Sequence, residues 1–406
     1  MKPNIKNPAA SLAEQETAIP PVYSLRDLVI YFLRLGALGF GGPVALVGYM
    51  HRDLVEQKKW ITEEDYKEGL ALAQLAPGPL AAQLCIYLGF VHYRVLGATV
   101  VGLAFVLPSF VMVVALGICY RAFGGLPWMQ AVFYGVGAAV IGIISMSAYK
   151  LTVKSVSRLQ LNAIKANWLL WVLYATGIVV TVITQSENIL LFVFAGLLYM
   201  IVKARPQWLN RSVRLSSVFL FTGINFWSFQ SGTLWKIALF FLKAGAFVFG
   251  SGLAIVPFLH SGVVTEYNWL TEQQFVDAVA VAMITPGPVV ITVGFIGYLV
   301  AGFPGAVVAA LATFLPCYLF TILPAPYFKK IAKNKPVKAF VDGITATVIG
   351  TLVGAVIIIA TRSITDPTTA IIAIAAVLCL IYLKKIQEPV IILMAAVIGV
   401  VLKMLL

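Results

Sequence analysis

Two short motifs with proline on both sides of glycine interrupt two of the most apolar stretches of the chain. They are Pro77-Gly78-Pro79 and Pro286-Gly287-Pro288, 209 residues apart (286 − 77). Proline lacks a backbone N–H and clashes with the preceding turn, which costs a helix interior about 3 kcal/mol. Each motif therefore predicts a helix that ends, turns at glycine and starts again, with free N–H groups suited to an anion. The alternative is that each motif is only a packing kink.

Two glycine-rich breaks precede these motifs, Gly41-Gly42-Pro43 in the first half of the chain and Gly250-Ser251-Gly252 in the second. Arg34 and Lys243 each lie one to two helical turns before such a break. An ionisable residue in an apolar segment is a candidate functional residue. Together with Gln83, these groups predict a site for a divalent oxyanion at the four breaks. The alternative is that both cations extend to the lipid headgroups.

Two acids, Glu68 and Asp277, lie two to three turns before the proline motifs. They are candidates for carrying a coupling proton, and a solvated or salt-bridged helix start is the alternative for both. His51 and His260 stand at loop edges. For the histidines, interface residues are the simpler interpretation and proton carriers are the other one.

These paired positions belong to an internal repeat. The pairs that a shift of 209 residues superimposes include Arg34 and Lys243, His51 and His260, Trp60 and Trp269, and Glu68 and Asp277. After a one-residue deletion, a shift of 208 aligns Leu107-Pro108 with Leu315-Pro316. So many coincident residues predict a duplicated domain. The predicted units are a disordered tail 1–23, a first repeat 24–203, a basic linker 204–232 and a second repeat 233–406.

The composition predicts the setting of this duplicated domain. Of 406 residues, 61% are hydrophobic and 11% are charged, against about 25% charged in soluble domains. The chain is therefore predicted to be an all-α polytopic membrane protein. The net charge of +13 is concentrated in loops, which indicates membrane orientation rather than nucleic-acid binding. We predict structural thiols, with no metal site and no cofactor, from the isolated cysteines Cys85, Cys119, Cys317 and Cys379.

Lys and Arg in the loops predict the orientation of each half. Three loops are strongly basic and should be cytoplasmic: 150–165, 203–214 and 329–338. The basic loop follows the fourth apolar segment in the first half but the third in the second half, so the halves should be inverted. Inversion requires 215–230 to cross the membrane rather than lie at its interface. The prediction is then about 13 membrane segments, with a cytoplasmic N-terminus.

One feature conflicts with simple threading of these segments. Loop 51–62 carries Arg52, Lys58 and Lys59 yet would lie outside, whereas loop 260–271 has no Lys or Arg yet would lie inside. Both conflicts vanish if the first two segments of each half are re-entrant hairpins that turn at the breaks. Full crossings remain the alternative. In either arrangement, inverted repeats with broken helices are typical of secondary transporters.

Local signals also predict where the broken helices begin and end. Thr62 with Asp65, and Thr271 with Gln274, have the spacing of a capping box at a helix start. The first of these helices should end at Ala76, because the residue before a proline avoids helical geometry. Pro79 should then occupy the first position of the next helix, where its missing N–H costs nothing.

The chain resembles the chromate ion transporter family in its long, two-domain form. The resemblance rests on "GFGGPVALVGYM" at 39–50, "LAQLAPGPLAAQL" at 72–84, "FGSGLAIVPFL" at 249–259 and "ITPGPVV" at 284–290. It implies an inner-membrane exporter that lowers cytoplasmic chromate, an analogue of sulfate. It also implies inverted halves and a proton-motive driving force. Gly250-Ser251-Gly252 departs from the GGP of the first half, so the halves should contribute unequally if that turn binds substrate.

The sequence leaves other functions open. A transporter of sulfate or another oxyanion, probed by comparing uptake, and an anion channel, whose flux would ignore a pH gradient, are the alternatives to proton antiport of chromate. An enzyme is disfavoured, since the sequence contains no GxSxG, HExxH or Walker A motif. The expected partners are the oxyanion, protons and the bilayer, and a homodimer is one assembly left open.

Overall fold

A computed structural model describes residues 23–156, 161–186, 188–204, 232–248, 252–328, 334–364, 366–383 and 386–405. Within these ranges the chain is helical and forms no strand. In its described residues, the first half has these α-helices: α1 Leu25–Leu38, α2 Gly42–Met50, α3 Glu63–Leu75, α4 Leu80–Phe123, α5 Pro127–Ser155, α6 Leu161–Ala166, α7 Trp168–Thr184 and α8 Ile189–Lys203. The described residues of the second half form α9 Thr233–Ala246, α10 Val256–His260, α11 Glu272–Ile284, α12 Thr292–Ile322, α13 Lys335–Ser363, α14 Pro367–Tyr382 and α15 Glu388–Leu405.

Within the described residues, four stretches are long and apolar enough to cross a membrane, by length and composition. They are Leu80–Phe123, Pro127–Ser155, Val289–Tyr327 and Lys335–Ser363. A span needs about 20 apolar residues. These helices agree with the predicted all-α polytopic membrane protein. The predicted crossing at 215–230, most of the tail 1–23, and Gly250 and Ser251 lie outside the described residues.

The predicted helix starts are confirmed, although the capping box predicted for Thr62 and Asp65 is incomplete, because the Asp65 carboxylate accepts from the Thr62 hydroxyl and not from its amide. The Thr62 side chain accepts a hydrogen bond from the Asp65 amide at 3.0 Å, and Thr271 and Gln274 form a complete capping box. Helix α3 ends at Leu75, and its C-cap residue Ala76 has an extended backbone. The prediction for Pro79 is wrong by one residue, because Pro79 is itself extended (ψ 117°) and α4 starts at Leu80. In the second half, one 3₁₀ turn, Val289–Ile291, precedes α12.

Helix α3 and the first part of α4 form a hairpin. Gly69 packs against the Tyr87 ring, and these residues lie equally far on either side of Gly78, so the two segments run antiparallel. Helix α4 then reverses at Arg94 (φ 51°), where Gly89 and Gly97 bring the two arms together. A Cβ at Gly89 would lie 2.6 Å from the Gly97 carbonyl oxygen, so only glycine permits this approach.

Helices α1 and α2 form a second hairpin, and its two ends lie close to the open end of the α3–α4 hairpin. The Tyr31 hydroxyl donates to Asp53 at 3.2 Å, in the π-helical turn His51–Gln57 that continues α2. At the open end, the Tyr23 ring stacks on Trp60 with centroids 5.0 Å apart, and the Tyr23 hydroxyl lies 2.6 Å from His92 Nδ1. The start of α1, the end of its hairpin and the end of the α3–α4 hairpin therefore lie on one side of the protein.

The second half makes contacts at matching positions. Gly262 packs against Phe240. These two residues are equivalent, by the shift of 209, to Asp53 and Tyr31, which contact each other in the first half. Gly297 packs against Gly305 across a reversal of α12 at Gly302 (φ 64°). The hairpins of the second half thus make contacts equivalent to those of the first, although short 3₁₀ turns replace the first turns of two of their helices.

The long helices interlock the two halves. Helix α5 packs closely against α14 and α15, and α13 packs closely against α7 and α8. Gly135 meets the backbone of Ala395, and Gly343 meets that of Ala195. Small residues let apolar helices approach this closely in lipid. Each half therefore completes its packing against helices of the other half, and this frame holds the four hairpins.

Candidate functional site

The two proline motifs each bond to the residue two positions before the glycine-rich break of the opposite half. The Gly78 amide donates to the Val248 carbonyl at 2.5 Å, and the Gly287 amide donates to the Gly39 carbonyl at 2.9 Å. Both donors and both acceptors are related by the shift of 209 residues. Gly252 packs against Val289 just beyond the second proline motif. We call this meeting place, built from 39–43, 77–79, Val248, Gly252 and 286–288, the central junction.

Glycine is required at the central junction by backbone conformation. Gly41, Gly42, Gly78 and Gly287 have φ of 105°, 71°, 146° and 92°, a region that L side chains rarely adopt. The first α2 residues are Gly42 and Pro43. Among the described residues, no side chain caps the N-terminus of α2 or α4. These N-termini retain amide donors and positive partial charge, which favour an anion.

Small polar side chains surround the junction. Gln83 is fully buried, and its Nε2 donates to the Pro77 carbonyl at 2.8 Å. The Ser109 hydroxyl donates to the Gly36 carbonyl at 3.2 Å and packs against Gly287. Ser109 follows Pro108 in an apolar run, and no motif or charge pattern in the sequence marks it. Only its packing against Gly287 identifies it as part of the junction.

Arg34 faces an open cavity of about 790 Å³, which we call the basic vestibule. It is lined by Asp27, Ile30, Tyr31, Arg34, Leu35, Leu38, Gly39, Phe40, Tyr49, Arg52, Asp53, Gln57, Lys58, Trp60 and Gln387. Arg52 pairs with Asp53 at 2.8 Å, and the Lys58 ammonium lies 4.3 Å from the centre of the Trp60 ring. Within the described part of the chain, Arg34 has no ion pair. Three cations against the two carboxylates Asp27 and Asp53 leave this concave site with a net positive charge, which raises the local concentration of anions.

The basic vestibule leads to the central junction. Its lining includes Gly39, whose carbonyl oxygen accepts the Gly287 hydrogen bond. Lys243 is exposed on α9 and does not line this cavity. The two predicted cations therefore do not share one cavity, and Arg34 is the one that lies on a path to the junction.

The paired acids have different environments. Asp277 is only 2% exposed, and it accepts hydrogen bonds from the Tyr120 hydroxyl at 2.7 Å and from Gln273 Nε2 at 2.8 Å. Burial of a carboxylate is costly without such partners. Glu68 is half-buried and contacts the Tyr87 hydroxyl. Tyr120 comes from the first half and Asp277 from the second, so sequence reasoning could not pair them.

The histidines link hairpins within each half. His51 Nε2 lies 2.9 Å from Glu63, and His260 Nε2 lies 2.8 Å from Glu272, which also pairs with Arg362. Each pair joins the end of the first hairpin to the start of the second. His260 is 2% exposed, so it is a buried structural partner and not an interface residue as the sequence suggested. No cluster of potential metal ligands occurs in the described ranges.

Long apolar helices, together with broken helices that meet at one junction, define a polytopic helical membrane protein. The sequence model described as "Chromate transporter" matches residues 26–201 and 235–400. The chain belongs to the chromate transporter family. No solved structure matches the chain.

Curated relatives cover nearly the whole chain. A "Chromate transport protein" of Cupriavidus metallidurans is 63% identical over 403 residues, which cover 98% of each chain. A "Probable chromate transport protein" of Synechococcus elongatus is 57% identical over 94% of this chain and 97% of its own length. A "Chromate transport protein" of Pseudomonas aeruginosa is 32% identical over 83% of this chain and 81% of its own.

Proposed function

We propose that this chain is a secondary active transporter that exports chromate and binds it at the central junction. The observation that carries the proposal is the reciprocal pair of hydrogen bonds, Gly78 to Val248 and Gly287 to Gly39. These bonds join breaks of both halves at one place, next to uncapped helix starts. Membership of the chromate transporter family and the names of the relatives support chromate as the solute.

The proposed route runs from the cytoplasm through the basic vestibule to the junction. If the hairpins are re-entrant, Lys58 and Trp60 lie on the same side as the predicted cytoplasmic N-terminus. Gln387, next to Lys384 and Lys385 in sequence, lines the same vestibule. The positive-inside rule places all of these residues in the cytoplasm of an inner-membrane protein. The loop before α11 lacks Lys and Arg, and in this arrangement it lies outside. The two halves are then inverted relative to each other.

This topology predicts opposite labelling of two equivalent loops. In a variant with the four native cysteines replaced by serine, Lys58→Cys should react from the cytoplasmic side and Asn268→Cys from the outside. A membrane-impermeant maleimide applied to intact cells and to inside-out vesicles measures this. Labelling of both positions from the same side would contradict the inverted arrangement.

Proton coupling is assigned to Asp277, the buried carboxylate that links the halves through Tyr120. Asp277 lies nine residues before Pro286, so a proton exchanged there would be coupled to the junction through α11, which ends just before that motif. The proposed cycle exchanges external protons for cytoplasmic oxyanion. Flux of chromate in proteoliposomes, with and without an imposed pH gradient, tests it. Flux that ignores the gradient would indicate a channel, and absence of chromate flux would overturn the proposal itself.

Arg34→Ala should lower kcat/KM for chromate by about tenfold, the lower end of the gain that charged clefts give to association rates. The dependence of uptake on ionic strength should weaken as well, because salt screens this attraction. Initial rates in inside-out vesicles, which present the cytoplasmic face, measure both effects.

Arg121→Ala is a matched control for that experiment, since Arg121 is exposed at the end of α4 and is absent from the vestibule lining. It should retain the wild-type rate and salt dependence. If the two alanine variants behaved alike, the vestibule would have no role in collecting the anion.

A further inference from the structure

Gln83 has an amide whose orientation is fixed by the proline motif. Its Nε2 donates to the Pro77 carbonyl at 2.8 Å, and a carbonyl can only accept. The side chain lies along the turn, since a Cβ at Gly78 would be 2.7 Å from Gln83 Cδ. If the amide were flipped, Gln83 Oε1 would face the Pro77 carbonyl oxygen, and two acceptors would repel each other. The orientation of the amide is therefore fixed.

The other end of this amide is an unpaired acceptor. Gln83 is fully buried, and its Oε1 has no hydrogen-bond partner in the described part of the chain. Buried polar atoms in proteins are normally paired, so this oxygen is available to accept a hydrogen bond from a bound molecule. The equivalent residue of the second half, Thr292, satisfies its hydroxyl by donating to Val289 at 2.8 Å. Among the described residues, this unpaired acceptor thus occurs in the first half and not at the equivalent position of the second.

An acceptor beside uncapped helix N-termini restricts which anion fits. The amides of the helix start donate to any oxyanion. A fully deprotonated oxyanion offers only acceptors, so it would set one of its oxygens against Gln83 Oε1. An oxyanion that keeps one hydroxyl can donate that proton to Oε1 and still accept from the amides.

We propose that Gln83 Oε1 accepts a hydrogen bond from the hydroxyl of a singly protonated tetrahedral oxyanion, and that this bond makes the junction selective for oxyanions of weak acids. Chromate takes up a proton near neutral pH, whereas sulfate does so only in strong acid. The inference rests on the proposed function and names the form of the substrate that the central junction binds. Rejection of sulfate then follows from its missing proton rather than from its size.

Selenate distinguishes the effect of protonation on binding from the effect of anion size. It is a tetrahedral dianion of nearly the dimensions of chromate, but it is the anion of a strong acid and carries no proton at neutral pH. Purified full-length protein in proteoliposomes is assayed for uptake of chromate with selenate or sulfate as competitor. Wild-type protein should require at least about a hundredfold more selenate than unlabelled chromate for half-inhibition, as sites with a buried polar partner discriminate strongly.

Gln83→Leu removes the acceptor and should lower this ratio at least tenfold, with sulfate inhibition appearing in parallel. Gln130→Leu is the matched control, since Gln130 is exposed at the start of α5, and its ratio should equal that of wild type. Equal inhibition by selenate and chromate in wild-type protein would overturn the inference while leaving chromate transport intact. The comparison of selenate with chromate in wild-type protein tests the inference even if Gln83→Leu does not fold. Absence of chromate flux in wild-type protein would instead overturn the proposed function. An unchanged ratio in a folded Gln83→Leu variant would also overturn it.

Discussion

Gly287→Ala should reduce chromate transport by about a hundredfold, the size of loss expected when a binding group moves by about 1 Å. Gly287 has φ of 92°, where an L side chain is strained. A Cβ there would overlap Ser109 Oγ and lie 3.1 Å from the Gly36 carbonyl oxygen. The turn must then shift, and the hydrogen bond from the Gly287 amide to Gly39 is lost. Uptake into proteoliposomes, normalised to protein in the membrane, measures the effect.

Gly125→Ala is the matched control for this substitution. Gly125 lies between α4 and α5, its φ is not positive, and no described atom lies within 4 Å of a Cβ built there. It should therefore transport at the wild-type rate. Replacing Pro77-Gly78-Pro79 by three alanines tests the opposite half, because it should favour a continuous helix and also stop transport. If either junction variant kept wild-type uptake, the proline motifs would be packing kinks.

Asp277→Asn should remove the stimulation of chromate flux by an imposed pH gradient and leave only the flux seen without one. Asparagine has nearly the same shape, and its oxygen can still accept from Tyr120 or Gln273, so the packing should survive. What it lacks is a carboxylate that can bind and release a proton. Flux at several imposed pH gradients, of both signs, measures the coupling.

Two further variants locate the coupling proton. Tyr120→Phe removes one hydrogen bond to Asp277 but keeps the carboxylate, so gradient stimulation should persist with a changed pH dependence. Glu68→Gln changes the half-buried acid of the other hairpin and should have the smaller effect. Full gradient stimulation in Asp277→Asn would refute the assignment, and its loss in Glu68→Gln alone would move the coupling role to Glu68.

The sequence predicted the broken helices because their signals are local. Thr62 and Thr271 cap helix starts, and a proline after Ala76 ends the helix, whatever the rest of the chain does. The one-residue error at Pro79 shows how such rules fail, since its extended backbone is set by the turn at Gly78. The choice between hairpins and full crossings could not be made from apolar length, which suits either path.

By itself, the sequence determined that the chain is a helical membrane protein and predicted four helix breaks in matching positions, because composition and backbone restrictions act residue by residue. Only the tertiary structure decided which residues of the opposite half each break contacts. Local rules treat as independent the residues joined by the bonds from Gly78 to Val248 and from Gly287 to Gly39, and by the pairing of Tyr120 with Asp277. The same holds for Arg34, Arg52 and Lys58, which line one vestibule. They form because the interlocked long helices fix where each hairpin tip lies, and that packing is a property of the whole chain.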